Sequence, residues 1–162
     1  MARNRQVKRS KKAGLPPGTL MYVGEKKTDT VLITVFDYDG QNYREEKPKS
    51  IEECFGLRQS PTVSWINIDG LHEVSVVEKL GKQFGVHPLI LEDILTAGQR
   101  PKCDDSTDLL FVVLRMLRYE EPSQSIQSEQ VSILLGPGYV LSFQESPGDV
   151  FDPIRERIRS GR

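Results

Sequence analysis

The hydrophobic period of this chain changes twice within about fifty residues, and only an architecture mixing sheet and helix accommodates that. Residues 63–68 (Val-Ser-Trp-Ile-Asn-Ile) read as a buried strand that Asp69-Gly70 ends. From Glu73 to Phe84 the apolar positions Val74, Val77, Leu80 and Phe84 recur at spacings of three and four, the stripe of an amphipathic helix. Gly85 follows as its C-cap. His87-Pro88 opens a second, short helix over 89–95, and a loop over 98–102 carries a proline stop. Residues 109–119 and 128–135 then read as two long strands, antiparallel across a polar turn at 120–127. Gly136-Pro137-Gly138 turns the chain into a further strand over 139–144.

The N-terminal side supplies more strands. Gly14-Leu15-Pro16-Pro17-Gly18 is a rigid turn whose prolines bar a helix. Residues 19–23 predict a first strand. Residues 31–38 alternate, with both faces largely apolar, which places that strand centrally in a sheet. Asp39-Gly40 marks a hairpin with its return strand over 42–46. Ser50 as N-cap and Glu53 at the capping-box position start a short helix over 50–55. A last helix begins at Asp149 or at Asp152, with Asp152 as N-cap before Pro153. It carries Arg155, Arg157, Arg159 and Arg162, and no residue caps it, so it reads as cut. Strands before, between and after helices give the expected class: α/β, a mixed β-sheet sandwiched by helices.

Composition narrows the function. A length of 162 residues fits one domain, expected over 14–162 behind a disordered basic tail at 1–13. That tail holds Arg3, Arg5, Lys8, Arg9, Lys11 and Lys12 and no acid. Removing these six from the 22 basic residues leaves 16 against 23 acidic ones, a balance near −7. The body lacks the basic face with interleaved aromatics that nucleic acid requires, so no nucleic-acid partner is expected; a module built on the basic head alone is the alternative. The longest apolar run, residues 109–114, falls well short of the roughly 18 residues of a membrane helix. No secretory leader follows the basic start. Cys54 and Cys103 stand far apart and are expected to be reduced, as in a cytosolic protein, and no zinc spacing is present.

Glu92 and Asp93 are the principal candidates for chemistry. They sit side by side on a short helix among Leu89, Ile90, Leu91, Ile94 and Leu95, which predicts that the helix is pinned on more than one side. Oxygen ligands suit a hard cation such as Mg²⁺. Consecutive helical residues point about 100° apart, so the pair is poorly placed to chelate one ion directly. The alternative is helix-surface acids paired with bases. Asp104, Asp105 and Asp108 form a second acidic group, read as a solvated loop with Arg100 and Lys102 as neutralising partners. His72 and His87 follow hydrophobic residues at turns, where capping or orienting a carbonyl is the expected role. Trp65 and Asn67 share one strand face, Trp65 with its indole satisfied locally, and Asn67 and Asp69 are expected to bind backbone in the turn. No nucleophile elbow, Walker loop or dinucleotide fingerprint is present, so an enzyme is not expected.

Six strings in fixed order carry a resemblance: G-L-P-P-G-T at 14–19, W-I-N-I-D-G at 65–70, H-P-L-I-L-E-D-I-L at 87–95, Q-R-P-K at 99–102, S-E-Q-V-S at 128–132 and G-D-V-F-D-P-I-R-E-R-I-R at 148–159. They resemble the N-terminal cytosolic domain of the CorA family of magnesium and cobalt channels, over residues 13–162 and ending before the stalk helix. The resemblance implies a homopentamer in the inner membrane with this domain cytoplasmic. It implies Mg²⁺ or Co²⁺ bound as a regulatory ligand between neighbouring domains, holding the pore closed. It assigns metal ligation to Glu92, Asp93 and, through a backbone oxygen, Leu15. The partner carboxylates, the Gly-Met-Asn signature and both membrane helices belong to positions after 162. This piece alone is expected to be a monomer or weak dimer. Asp105-Ser106-Thr107-Asp108 departs from the aromatic that many relatives carry there. The alternatives are the domain of a zinc-exporting relative and a free-standing metal-dependent hydrolase using Glu92, Asp93 and Asp104.

Overall fold

The computed structural model describes residues 14–161, so the basic tail lies outside the described residues. Seven strands form one mixed sheet: β1 (Leu32–Tyr38), β2 (Tyr43–Glu46), β3 (Val63–Asp69), β4 (Lys102–Ser106), β5 (Leu109–Glu120), β6 (Ser125–Gly136) and β7 (Tyr139–Gln144). The strand order is β2-β1-β3-β7-β6-β5-β4. Only β3 and β7 run parallel; every other pair is antiparallel. A 3₁₀ helix covers Ile51–Gln59, and α1 (Val74–Phe84), α2 (Pro88–Ile94) and α3 (Asp152–Arg159) complete the fold.

Register explains which face is the core. Ile33 lies opposite Ile68, Val35 opposite Ile66, Ile66 opposite Leu141, and Ile68 opposite Phe143, so alternate residues of three strands point one way. Leu134 and Phe111 continue the row through β6 and β5. Onto this face α1 lays Val77, Leu80 and Phe84, α2 adds Leu91 and Ile94, and the 3₁₀ helix adds Ile51 and Cys54. The predicted stripe of α1 is therefore the buried one. Gly81 lets the two helices approach, because a Cβ there would meet Leu91 Cδ1 at 2.5 Å. Gly85 closes α1 at φ 70°, a left-handed conformation that a side chain disfavours. The opposite face carries Phe36 and Trp65, stacked with ring centroids 4.9 Å apart, and is covered by α3.

Several sequence expectations change. Residues 19–23 form no strand; Val23 makes one isolated bridge to Thr96, donating to Leu95 O and accepting from Ala97 N. This segment pairs with the chain leaving α2 rather than with the sheet. β1 is one strand from the edge rather than central. The short helix at 51–59 is 3₁₀, and Glu53 accepts from the backbone N–H of Ser50 as a capping box requires. Asp152 is the first residue of α3, with Phe151 at the N-cap, because the Asp149 carboxylate takes the Phe151 N–H and sets the entry one residue earlier. Asp104 and Asp105 lie on an edge strand, not in a loop.

Candidate metal-binding site on helix α2

The imidazole of His87 caps α2, its Nδ1 accepting from Leu89 N–H at 3.2 Å, and Pro88 needs no partner at the first turn. Leu91, Ile94 and Leu95 are buried, whereas Leu89 remains exposed. The apolar contacts of the helix thus lie on one face, and its two half-buried acids lie at the rim, where polar contacts pin it on other sides.

The two carboxylates go different ways, as their 100° separation requires. Glu92 Oε2 accepts from the Gly18 N–H at 2.7 Å, which fastens the Gly-Leu-Pro-Pro-Gly turn to α2. Gly18 has φ 81°, and an added Cβ would stand 3.4 Å from Pro88 Cβ. That turn is closed by Thr19, whose N–H and hydroxyl both donate to Pro16 O. Leu15 sits three residues ahead of Gly18 with its side chain exposed. Asp93 turns toward β4. Its Oδ1 accepts from Gln99 Nε2 at 3.0 Å and its Oδ2 from Lys102 Nζ at 2.8 Å. The same ammonium donates to Asp104 Oδ2 at 2.5 Å and lies 5.0 Å from the centre of the Phe111 ring. Burial opposes the Lys102 charge, but the two carboxylates outweigh it and raise the ammonium above its ordinary range.

These residues fit part of an oxygen shell for a hard cation. The donors are carboxylates, and the ammonium on Asp93 is a cation already standing against one of them. Among the described residues no three His, Cys, Asp or Glu side chains converge as a complete site. Glu92, Asp93 and Asp104 do not form a common centre, since Lys102 bridges the two aspartates while Glu92 faces the Gly18 turn.

A second polar cluster was not anticipated. Asn67 and Asp69 bond to side chains rather than to the turn. Asn67 Nδ2 donates to Asp69 Oδ1 at 3.0 Å, and Gln144 Nε2 donates to Asp69 Oδ1 and Asp149 Oδ2, both at 2.9 Å. Trp65 donates to Ser142 Oγ at 2.8 Å, and Ser142 donates on to Asn67. Arg155 grips Asp149 with both terminal nitrogens, at 2.6 and 2.5 Å. Burial pushes the Asp69 carboxyl up to about 6, with the Asp149 charge adding to it. Burial also acts on Asp149, but the Arg155 guanidinium and its other donors win and hold it below the usual range. The register of β3 against β7 places Asn67 opposite Ser142 and Asp69 opposite Gln144. Four polar residues at alternate positions of two adjacent strands were the available signal.

Comparison with known proteins places this arrangement. Residues 60–162 match the family described as CorA-like Mg2+ transporter protein. The chain is 48% identical over 153 residues to the cobalt/magnesium transport protein CorA of Thermotoga maritima, covering 94% of this chain and 43% of that protein. It is 31% identical over 103 residues to the putative metal ion transporter YfjQ of Bacillus subtilis. The chain thus spans less than half the length of the curated relatives it matches. Among solved structures, the ZntB cytoplasmic domain from Vibrio parahaemolyticus (TM-score 0.56, 17% identity) covers 80% of this chain and 50% of its own. The soluble domain of CorA from Methanocaldococcus jannaschii (TM-score 0.54, 16% identity) covers 79% and 46%. These two show the fold, and the sequence matches go further: this chain belongs to the CorA family of Mg²⁺ transporter-like proteins.

Proposed function

We propose that this chain is the metal-responsive cytosolic domain of a magnesium and cobalt transport protein of the inner membrane. In this reading Glu92 and Asp93, with the backbone oxygen of Leu15, offer oxygens to a regulatory Mg²⁺ or Co²⁺ shared with a neighbouring subunit of a homopentamer. The observation that carries it is the display of two diverging carboxylates at the rim of α2. Glu92 is tied to the turn bearing Leu15, and Asp93 already holds a cationic group. The 48% identity to a cobalt/magnesium transport protein supports the choice of ion.

With cations bound, neighbouring subunits are held together through these acids. Without them, facing carboxylates repel, by about 1 kcal/mol per close pair in water and about 4 kcal/mol at an effective dielectric of 20. Summed around a ring, that biases a two-state assembly. Weak sites, roughly 10⁻⁴–10⁻³ M, suit an abundant ion. In this reading transport belongs to a longer protein, since the chain covers 43% of the cobalt/magnesium transport protein it matches. The test is Asp93→Ala in the full-length protein: closure by high Mg²⁺ should loosen, and unchanged Mg²⁺ inhibition of flux removes Asp93 from this role. A zinc-exporting function is the second reading, favoured by the likeness to the ZntB domain. Flux selectivity for Zn²⁺ over Mg²⁺ and Co²⁺ separates the two.

A further inference from the structure

We propose that Lys102 is an internal counter-cation that competes with the divalent ion for Asp93 and so sets the concentration at which the site fills. The inference rests on the metal-responsive reading of Asp93 and adds the element that tunes it.

The geometry is that of one charge with two seats. Lys102 Nζ lies 2.8 Å from Asp93 Oδ2 and 2.5 Å from Asp104 Oδ2. The two seats differ. Asp93 is on α2 with its side chain 30% exposed, whereas Asp104 is on the edge strand and 58% exposed. The lysine cannot drift far, because it begins β4, where it pairs with Val113, and its ammonium lies over the Phe111 ring. A cation arriving at Asp93 must take an oxygen the ammonium now holds. Lys102 gives it up without being left unpaired, since Asp104 already binds it two residues along the same strand. Displacement therefore costs one of two ion-pair contacts, not the solvation of a stranded charge. Asp104 is then a parking seat for the lysine rather than a metal ligand.

This makes opposite predictions for neighbouring charges. Lys102→Met keeps most of the stem over Phe111 and removes the competitor. Mg²⁺ titrated into the full-length protein, followed through the amide exchange of the α2 segment, should show a midpoint lowered about three- to tenfold. Arg100→Met removes a nearby exposed charge of the same sign and should move the midpoint less than about twofold. Asp104→Asn leaves Lys102 with Asp93 alone, so the midpoint should rise. In the Lys102→Met background that rise should vanish, whereas an Asp104 that ligates the ion would weaken binding in both backgrounds.

The outcomes separate the two levels of the argument. If Asp93→Asn abolishes binding but Lys102→Met leaves the midpoint where it was, the lysine has no competing role and the site reading stands. If Asp93→Asn leaves binding unchanged, the site reading falls and takes this inference with it. If neither the unmodified full-length protein nor its Lys102→Met variant binds Mg²⁺, the lysine is not what limits binding, and the proposal is overturned.

Discussion

At the residue scale, Asp69 differs most from what its sequence context suggests. A carboxylate ending a strand before glycine is ordinarily a solvated turn residue. Here it is buried, 8% exposed, and packed near a second carboxylate that has already claimed the arginine. Its raised value of about 6 means that folding favours the protonated acid. The stability linked to this group is therefore greatest below the unfolded value near 4, and is lost as pH rises through about 6. Asp69→Asn preserves the oxygen that accepts from Asn67 and Gln144 while removing the titration. Relative to the unmodified chain, it should gain on the order of 2 kcal/mol between pH 4 and pH 8. Urea unfolding of both proteins at the two pH values measures this, and a pH-independent difference between them contradicts it.

Helix α2 is the element on which the candidate site depends, and it has only seven residues. A helix so short is held by its contacts rather than by its own hydrogen bonds. It packs against α1 where Leu91 lies over Gly81. Gly81→Val should force Leu91 off its seat at a cost of about 1–3 kcal/mol. Because Leu91 directly precedes Glu92 and Asp93, the damage should reach the site: the Asp93–Lys102 pair should loosen, seen as changed amide shifts on α2 and at Lys102. Valine tolerated with no loss of urea stability and no α2 shifts would show that the helix contact is not tight. Elements of this kind were readable wherever one period ran long enough. The stripe of α1, the proline start of α2 and the two long apolar runs of β5 and β6 about a polar turn each had a sequence signal. β4 had none. Its Asp104 and Asp105 are poor strand formers, and they become a strand only because β5 offers an unpaired edge. The failed strand at 19–23 is the converse, since its apolar residues find the loop after α2 before they find the sheet. Likewise the candidate acids were legible as a pair, but their divergent partners, Gly18 and Lys102, were set by tertiary contacts that no local pattern encodes.

For the whole molecule, the two sides of the sheet are unequally covered. On one side α1, α2 and the 3₁₀ helix close over a continuous apolar core. On the other, α3 buries none of its residues fully and leaves a cavity of about 150 Å³ against Tyr38, Trp65, Val140 and Phe151. Two arginines hold α3: Arg159 reaches the Glu45 carboxylate on β2, and Arg155 is the more buried anchor. Its guanidinium lies 5.1 Å from the centre of the Trp65 ring and 5.7 Å from that of Phe36, while its fork closes on Asp149, whose side chain is only 2% exposed. Such an arrangement predicts that α3 opens as a unit of its own, separately from the core. Arg155→Ala leaves a buried carboxylate without its partner, which costs about 3 kcal/mol. Arg155→Lys should recover little of this, because an ammonium cannot reproduce the two-pronged contact or the stacking. The loss should appear locally: amide exchange in α3 accelerates and Trp65 fluorescence shifts toward that of a hydrated indole, while β3, β6 and β7 keep their protection. Uniform acceleration across all three strands would show instead that α3 and the core unfold together, and that the sheet depends on this helix for its global stability.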